Sequence, residues 1–190
     1  MTYGSVYLFR HSESEDNRQH LFSGWRDPDL SQKGVIDAEE LAELLKDKVF
    51  MSVYTSDLKR NLRTVTEVLK YHPNVAITQD KRLRERSYGD LQGTPHLDLM
   101  RQDLALYLTY HRSYNTPPPN GESIAMVEER VLPFCNELAD HVKKSSQNVA
   151  VCAGNNSMRV IRRFFEGFTI EEMLKIDNPY DNYFTYEVKD

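Results

Sequence analysis

Short apolar segments alternate along this chain with longer amphipathic segments, and this alternation restricts the fold more than any other feature. The apolar segments predict strands at residues 6–9, 49–54, 75–78, 149–152 and 183–188. Parallel strands need a long crossover, usually a helix, whereas antiparallel neighbours need only a tight turn. Strands separated by helical patterns therefore predict a mostly parallel sheet with helices on both faces, which is a three-layer α/β/α fold.

The amphipathic segments predict five helices. They cover residues 31–45, 55–69, 97–110, 124–142 and 157–165. Ser31 can cap the first helix, and residues 55–57 supply cap chemistry for the second. Pro133 lies inside the fourth and predicts a kink or an earlier break. The third carries its apolar residues at spacings of three and four, on one face: Leu97, Met100, Leu104 and Leu108.

A chain of 190 residues fits one domain, residues 1–190. The segment from 88 to 121 lies between the third predicted strand and the fourth helix, and we expect it to form a small cap insertion over the ligand crevice. Three consecutive prolines, residues 117–119, predict an extended loop within that segment.

Composition excludes several classes of protein. The 24 basic and 29 acidic residues give a net charge of −5, which argues against nucleic-acid binding. No apolar run approaches the roughly 20 residues that span a bilayer, and we expect no membrane association and no signal peptide. Cys135 and Cys152 have no metal-ligand spacing, and two buried thiols in a reducing cytoplasm are the better interpretation.

Arg10 and His11 follow the first predicted strand directly. They are expected at the carboxyl edge of the sheet, where open α/β folds bind ligands. A neutral imidazole is a good nucleophile towards phosphorus, and a guanidinium can bind phosphate oxygens in a bidentate manner. An Arg-His pair is by itself more often structural, so its interpretation depends on the rest of the chain.

Two further clusters occupy places where this fold puts ligands. Arg60 follows a strand-to-helix junction, where a helix N-terminus attracts anions; the alternative is an ordinary solvated helix arginine. Glu85 lies among arginines after a predicted strand, and a carboxyl group there can serve as a general acid; the alternative is a surface ion-pair network.

Together these clusters resemble the histidine phosphatase superfamily, in its cofactor-dependent phosphoglycerate mutase branch, from about residue 6 to residue 188. Arg10, His11, Glu13 and Asn17 resemble the RHGExxxN motif, with Ser12 in place of the usual glycine. Four later segments are similar to mutase motifs in the same order: residues 22–34, 56–64 (SDLxRxxxT), 83–93 (LxERxYGxLxG) and 112–118.

The resemblance implies roles for matching residues. His11 would carry the phosphoryl group, Arg10 and Arg60 would bind its oxygens with Asn17, and Glu85 would act as acid and then base. Five residues would orient the rest of the substrate: Ser23, Gly24, Arg86, Tyr88 and Arg112. The resemblance implies that no metal is needed. It also implies that 2,3-bisphosphoglycerate acts as a primer and not as a permanently bound cofactor. It further implies that the substrate is a small phosphorylated acid and that the protein is an isomerase of glycolysis or a hydrolase. A cytoplasmic location follows from the same resemblance, which is also compatible with a homodimer.

One departure concerns the second histidine of the family, within the pattern AHGNSxR. Gly154 stands at the histidine position here, followed by Asn155 and Asn156, which we expect to offer neutral donors to the substrate. His96 and His111 stand where mutases usually carry a lysine and an arginine. Two functions follow: phosphoryl transfer through His11, at a reduced rate, or a catalytically impaired relative that binds phosphorylated ligands or a protein partner. A Gly154→His change should accelerate the enzyme of the first hypothesis.

Overall fold

A five-stranded sheet forms the centre of the molecule. The structure is a computed structural model that describes residues 4–189. The strands are β1 (Gly4–Arg10), β2 (Ser52–Thr55), β3 (Ala76–Gln79), β4 (Val149–Ala153) and β5 (Tyr183–Val188), in the spatial order β3-β2-β4-β1-β5. All neighbours are parallel except β5, which pairs antiparallel with β1. The predicted α/β fold with a mostly parallel sheet is therefore confirmed.

Eight α-helices occur within residues 4–189. They are α1 (Glu15–Arg18), α2 (Gln32–Leu45), α3 (Lys59–Val68), α4 (His96–Gln102), α5 (Leu104–Arg112), α6 (Ile124–Ser145), α7 (Asn155–Glu166) and α8 (Ile170–Lys175). Ser31 caps α2 as expected, because its hydroxyl accepts a hydrogen bond from the N–H of Gly34. In this part of the chain no helix has the length and apolar character of a membrane-crossing segment.

Side chains of β1 alternate between two separate cores, as the two-residue period of a strand requires. Val6 and Leu8 pack with buried residues of α6 and α7 on one face of the sheet. Tyr7 and Phe9 pack with buried residues of α2 and α3 on the other face. The sheet is thus enclosed by helices on both sides.

Three predictions about elements were wrong in detail. The second strand begins at Ser52, because Val49 and Met51 are exposed. No side chain of residues 55–57 caps α3; Leu58 occupies the N-cap position, and the N–H of Lys59 donates to the Asp27 carboxylate instead. The long helix α6 continues through Pro133, so the alternative of an earlier break is wrong, while the kink stays a prediction.

The predicted helix over 97–110 consists of two helices, α4 and α5, which meet at Asp103. The Asp103 carboxylate caps α5 by accepting a hydrogen bond from the N–H of Leu106 at 2.9 Å. The apolar residues expected on one face are largely exposed rather than buried in the core: Leu97 48%, Met100 37%, Leu104 55% and Leu108 48%. We keep the proposal that residues 88–121 form a cap.

The carboxyl ends of β1 and β4 lie side by side and position the candidate site. Arg10 pairs with Ala153 in the sheet register, and the N–H of His11 donates to the carbonyl of Ala153 at 3.3 Å. His11 therefore lies beside Gly154, where α7 begins.

Candidate active site

His11 is buried immediately beyond β1, with 1% of its surface exposed. Its Nδ1 lies 2.8 Å from the carbonyl oxygen of Ser12, and Arg60 Nε donates to its Nε2 at 3.1 Å. A carbonyl oxygen can only accept a hydrogen bond, so we assign the proton to Nδ1. Nε2 then carries the lone pair of the potential nucleophile, and this lone pair accepts the hydrogen bond from Arg60.

Burial and two neighbouring cations keep this imidazole neutral. Burial lowers the pKa of His11 well below its usual 6.5, and the positive charges of Arg60 and Arg10 lower it further, against the opposing effect of the Ser12 carbonyl. The neutral imidazole is the nucleophilic form. His11 therefore has a reactive protonation state at neutral pH.

Arg60 is held rigidly against His11 by the loop that follows α1. Its Nη2 donates to the carbonyl of Gly24 at 2.7 Å, and its Nη1 donates to the carbonyl of Arg26 at 2.9 Å. Gly24 has a φ of +55°, and a Cβ there would lie 2.2 Å from Gln92 Oε1. The loop therefore requires glycine at this position.

Arg10 is the second cation near His11. Its Nη1 donates to the carbonyl of Asn178 at 3.2 Å, and its guanidinium lies 4.0 Å from the centroid of the Tyr180 ring. Its Nε is buried and has no hydrogen-bond partner among residues 4–189. Buried donors are nearly always paired in native proteins, so this N–H is suited to an anion beside His11.

Glu85 accepts four hydrogen bonds, three of them from the start of α7. Its Oε2 accepts from the N–H of Asn155 at 2.7 Å. Its Oε1 accepts from the N–H of Asn156 at 3.1 Å, from Asn156 Nδ2 at 2.8 Å and from the N–H of Arg86 at 2.6 Å. Burial raises the pKa of Glu85, but the hydrogen bonds from Arg86 and Asn156 and the charges of Arg10 and Arg60 hold it below its usual 4.5. The group is therefore a carboxylate at neutral pH.

Gly154 leaves no room for a side chain. A Cβ there would lie 2.5 Å from Glu85 Cα and 2.6 Å from the Glu85 backbone nitrogen. Because these are backbone atoms, a histidine at residue 154 would displace Glu85, and the acceleration expected from Gly154→His does not fit this structure. The donors expected from Asn155 and Asn156 also serve Glu85 here, through both N–H groups and the Asn156 amide.

A cavity of about 130 Å³, which we call the inner cavity, adjoins Arg10 and Glu85, whereas His11 and Arg60 lie outside its lining. The predicted site residues that line it are Arg10, Asn17, Ser23, Gly24, Glu85, Tyr88, Asn155 and Asn156. The hydroxyl of Ser23 is buried without a hydrogen-bond partner in the described part of the chain. Within residues 4–189, no cluster of three His, Cys, Asp or Glu side chains is arranged to hold a metal ion.

Two predicted substrate-binding residues do not line the inner cavity. Arg86 is fully buried, and its Nη2 donates to the carbonyl of Tyr110 at 2.8 Å, while its guanidinium lies 4.5 Å from the Tyr88 ring centroid. Arg112 is an exposed residue at the end of α5. Arg112 is therefore separated from the other predicted groups, whereas Arg86 lies behind Tyr88, which does line the inner cavity.

Sequence reasoning missed several residues that complete the site. Leu21, His96 and His111 also line the inner cavity. Asn178 joins two predicted residues, because its carbonyl accepts from Arg10 and its Nδ2 donates to Asn155 Oδ1 at 2.9 Å. The two histidines were recognisable as replacements within motifs, whereas Asn178 lies in a loop after α8 without any local pattern.

Comparisons with known proteins show relatives over nearly the whole chain. The family model of the histidine phosphatase superfamily (branch 1) matches residues 6–189. Phosphoglycerate mutase of Schizosaccharomyces pombe is 37% identical over 176 residues, which are 90% of this chain and 83% of that protein. The 2,3-bisphosphoglycerate-dependent phosphoglycerate mutase of Parvibaculum lavamentivorans is 36% identical over 192 residues, covering 97% and 90% of the two chains.

Solved structures support the same fold. The alpha-ribazole phosphatase of Shigella flexneri superposes with a TM-score of 0.85 at 24% identity and covers 97% of this chain and 93% of its own. The phosphoglycerate mutase of Bacillus anthracis gives a TM-score of 0.71 at 24% identity, with 87% and 81% covered. The family match extends over nearly the whole chain, and this protein belongs to the histidine phosphatase superfamily, branch 1.

Proposed function

We propose that this chain is a phosphatase that works through a phosphohistidine on His11. The observation that best supports the proposal is the neutral Nε2 of a buried imidazole next to two arginines. Arg10 and His11 lie at the end of β1, Arg60 reaches His11 from α3, and Arg10 lines a cavity large enough for a phosphate group. Family membership adds to this support, since its name describes the same chemistry.

In the first step, His11 Nε2 attacks the phosphorus of a phosphomonoester, and the bond from phosphorus to the leaving oxygen breaks. Glu85 gives the leaving oxygen its proton. Glu85 is a carboxylate in the free protein, but the approaching phosphate brings negative charge near it, and a like charge raises the pKa of a carboxyl group. Substrate binding therefore favours the protonated form that this step needs.

In the second step, water attacks the phosphohistidine. Glu85 accepts a proton from the water, the bond between phosphorus and Nε2 breaks, and inorganic phosphate leaves. The N–H of Arg60 that donates to Nε2 in the free protein shifts to a phosphate oxygen when the nucleophile reacts. The unpaired Nε of Arg10 supplies a second donor to the same group.

A mutase reaction is the second candidate. The curated relatives at 36–37% identity are named phosphoglycerate mutases, and in such a reaction 2,3-bisphosphoglycerate would prime His11. A mutase must retain an acidic substrate, whose carboxylate needs a cationic partner. His96 and His111 do not supply this positive charge, so the site favours hydrolysis. Burial is the main cause that lowers the pKa of His96 to about 4 and that of His111 to about 3, so both are neutral at pH 7.

A catalytically impaired binding protein is the alternative from another class. It is favoured by Gly154, which removes the second histidine, and by the four hydrogen bonds that hold Glu85 as a carboxylate. Losing one transition-state donor typically costs about 10²–10³ in rate, so the enzyme is expected to be slow rather than inactive.

Phosphate release distinguishes these functions. We expect wild-type protein to release inorganic phosphate from glycerol 3-phosphate, and His11→Asn to release none, since asparagine keeps polarity but lacks the nucleophile. Arg60→Ala should lower kcat/KM by about 10²–10³. A wild-type protein that binds phosphate in calorimetry, yet releases no more from glycerol 3-phosphate or from phenyl phosphate than His11→Asn does, would contradict the proposal and support the binding protein. Conversion of 3-phosphoglycerate to its isomer without phosphate release would support the mutase.

A further inference from the structure

A larger cavity, which we call the outer cavity, continues from the inner one. Its volume is about 530 Å³, and its lining residues are Asn17, His20, Leu21, His96, Leu97, Met100, Tyr107 and Tyr180. Asn17, Leu21 and His96 line both cavities, so the two are adjacent. The volume lies within the range of small-molecule sites, about 300–1,000 Å³. A group attached to a phosphate at His11 can therefore extend into the outer cavity.

Aromatic rings form a packed wall of this cavity. The ring of His96 stacks on the ring of Phe22, with centroids 3.8 Å apart and an angle of 25° between the planes. The centroid of the Tyr107 ring lies 6.0 Å from that of His96. Tyr107 is itself buried. Tyr180 brings the wall close to the nucleophile, because its ring centroid lies 6.5 Å from that of His11. Rings fixed in this way offer faces and edges on which another ring can pack.

Among residues 4–189, the lining of the outer cavity contains no Asp, Glu, Lys or Arg, and its two imidazoles are His20 and His96. His96, the imidazole shared with the inner cavity, is neutral because burial lowers its pKa to about 4. The Arg86 guanidinium is fully buried and lines neither cavity. A carboxylate in the outer cavity would therefore lose water without an ammonium or guanidinium group in the lining to bind it, which is unfavourable.

The rim of the outer cavity is apolar and open to solvent. Leu97 and Met100, on α4, both line the cavity and are 48% and 37% exposed. Large apolar side chains clustered at the edge of a pocket are characteristic of ligand-binding surfaces. Covering them with an apolar group would remove that surface from water.

We propose that the outer cavity binds an uncharged aromatic ring, the organic part of a phosphomonoester whose phosphate lies at His11. This assignment rests on the proposed function, since it places the phosphate beside Arg10 and Arg60. It replaces the acidic organic part that the motif resemblance implies. Leu97, Met100 and Tyr180 are then specificity-determining residues, which contact the leaving group rather than the reacting atoms.

Three phosphonates that cannot be hydrolysed test the ligand class without turnover. Methylphosphonate, benzylphosphonate and phosphonoacetate differ only in whether the methylene carbon carries hydrogen, a phenyl ring or a carboxylate. By titration calorimetry on the wild-type protein, we expect benzylphosphonate to bind at least about tenfold more tightly than methylphosphonate, because its ring is buried. Phosphonoacetate should bind no more tightly than methylphosphonate.

A matched pair of leucine variants locates the ring. Leu97 and Leu104 are both exposed and both near the start of a cap helix, but only Leu97 lines the outer cavity. Leu97→Asn should weaken benzylphosphonate about fivefold and leave methylphosphonate unchanged, since one partly exposed apolar contact is lost. Leu104→Asn should change neither affinity.

Separate results address this inference and the proposed function. Tighter binding of phosphonoacetate than of methylphosphonate, no gain from the phenyl ring, or equal effects of the two leucine variants would overturn the ring site. Failure of all three phosphonates to bind would overturn it as well. Tight benzylphosphonate binding by a protein that releases no phosphate from any ester would keep the ring site and overturn the phosphatase.

Discussion

Three histidines, His11, His96 and His111, are neutral in the folded chain for the same main reason, which is burial. Burial lowers the pKa of His11 well below 6.5, that of His96 to about 4 and that of His111 to about 3. In the unfolded chain each returns to about 6.5. Between that value and the folded values, the unfolded state binds protons that the folded state does not. Acidification through this window therefore stabilises the unfolded state.

We predict that the free energy of unfolding falls as the pH is lowered from 7.5 to 5.5. Each histidine that is protonated only on unfolding contributes a slope that approaches about 1.4 kcal/mol per pH unit below 6.5. Urea denaturation across this range measures the slope. A His96→Gln/His111→Gln double variant should have a shallower slope than the wild type, and equal slopes would show that these two imidazoles are not held neutral.

At the residue scale, the absence of a side chain at Gly154 allows Glu85 to keep its position. Its φ of −68° is accessible to any residue, so only the close approach of Glu85 requires glycine there. We predict that Gly154→Ala and Gly154→His both destabilise the fold, by about 1–3 kcal/mol, because the added Cβ meets backbone atoms. Both should also lower phosphate release, since Glu85 is displaced. A Gly154→His variant that is as stable as wild type and faster would contradict this interpretation.

At the scale of elements, the break between α4 and α5 depends on one cap. We predict that Asp103→Ala costs about 1 kcal/mol of local stability in α5, because the N–H of Leu106 loses its acceptor. Hydrogen exchange should show faster exchange in residues 104–112 and unchanged protection in β1 and β4. Asp98→Ala is the control, since Asp98 lies in the first turn of α4 but is not its cap residue. Equal changes in α5 for both variants would contradict the assignment.

Elements were predictable where local pattern and burial coincide. β1 and β5 and the helices α2 and α6 follow directly from apolar periodicity and from Ser31 as a cap. The division into α4 and α5 was missed because the apolar spacing continues across Asp103. That spacing marks an exposed face of the candidate cap instead of a core helix, and tertiary context alone distinguishes the two.

At the scale of the whole molecule, ligand binding links the site to global stability. A ligand that binds only the folded state stabilises it by about 2.7 kcal/mol at one hundred times its Kd. For a chain of this length, 1 kcal/mol corresponds to about 2–4 °C in Tm. We predict that saturating inorganic phosphate raises the Tm by several degrees, and that Arg60→Ala abolishes this increase.

Arg63→Ala is the matched control for this thermal shift. Arg63 lies in the same helix, α3, but half of its side chain is exposed, and its ion pair with Asp29 has a length of 3.6 Å. This variant should keep the full shift. A loss of the shift in both variants would mean that phosphate binds through general surface charge rather than beside His11.

The candidate site was predictable in part, because most of its residues belong to ordered motifs. Arg10, His11 and Glu85 were identified from chemistry and from resemblance. Asn178 and Tyr180 were not, because they reach the site only through the fold of the C-terminal loop. The buried position of Arg86 likewise depends on packing against Tyr88, which no motif describes.

Trapping the phosphoryl group on His11 tests the central claim most directly. Intact mass spectrometry of protein quenched during incubation with phenyl phosphate, beside a His11→Ala control, measures whether the adduct forms. We predict an acid-labile phosphate adduct on the wild-type protein, mapped to His11, and none on the control. A protein that binds phosphate tightly yet forms no adduct, or forms one equally in His11→Ala, would contradict a phosphohistidine mechanism at this residue.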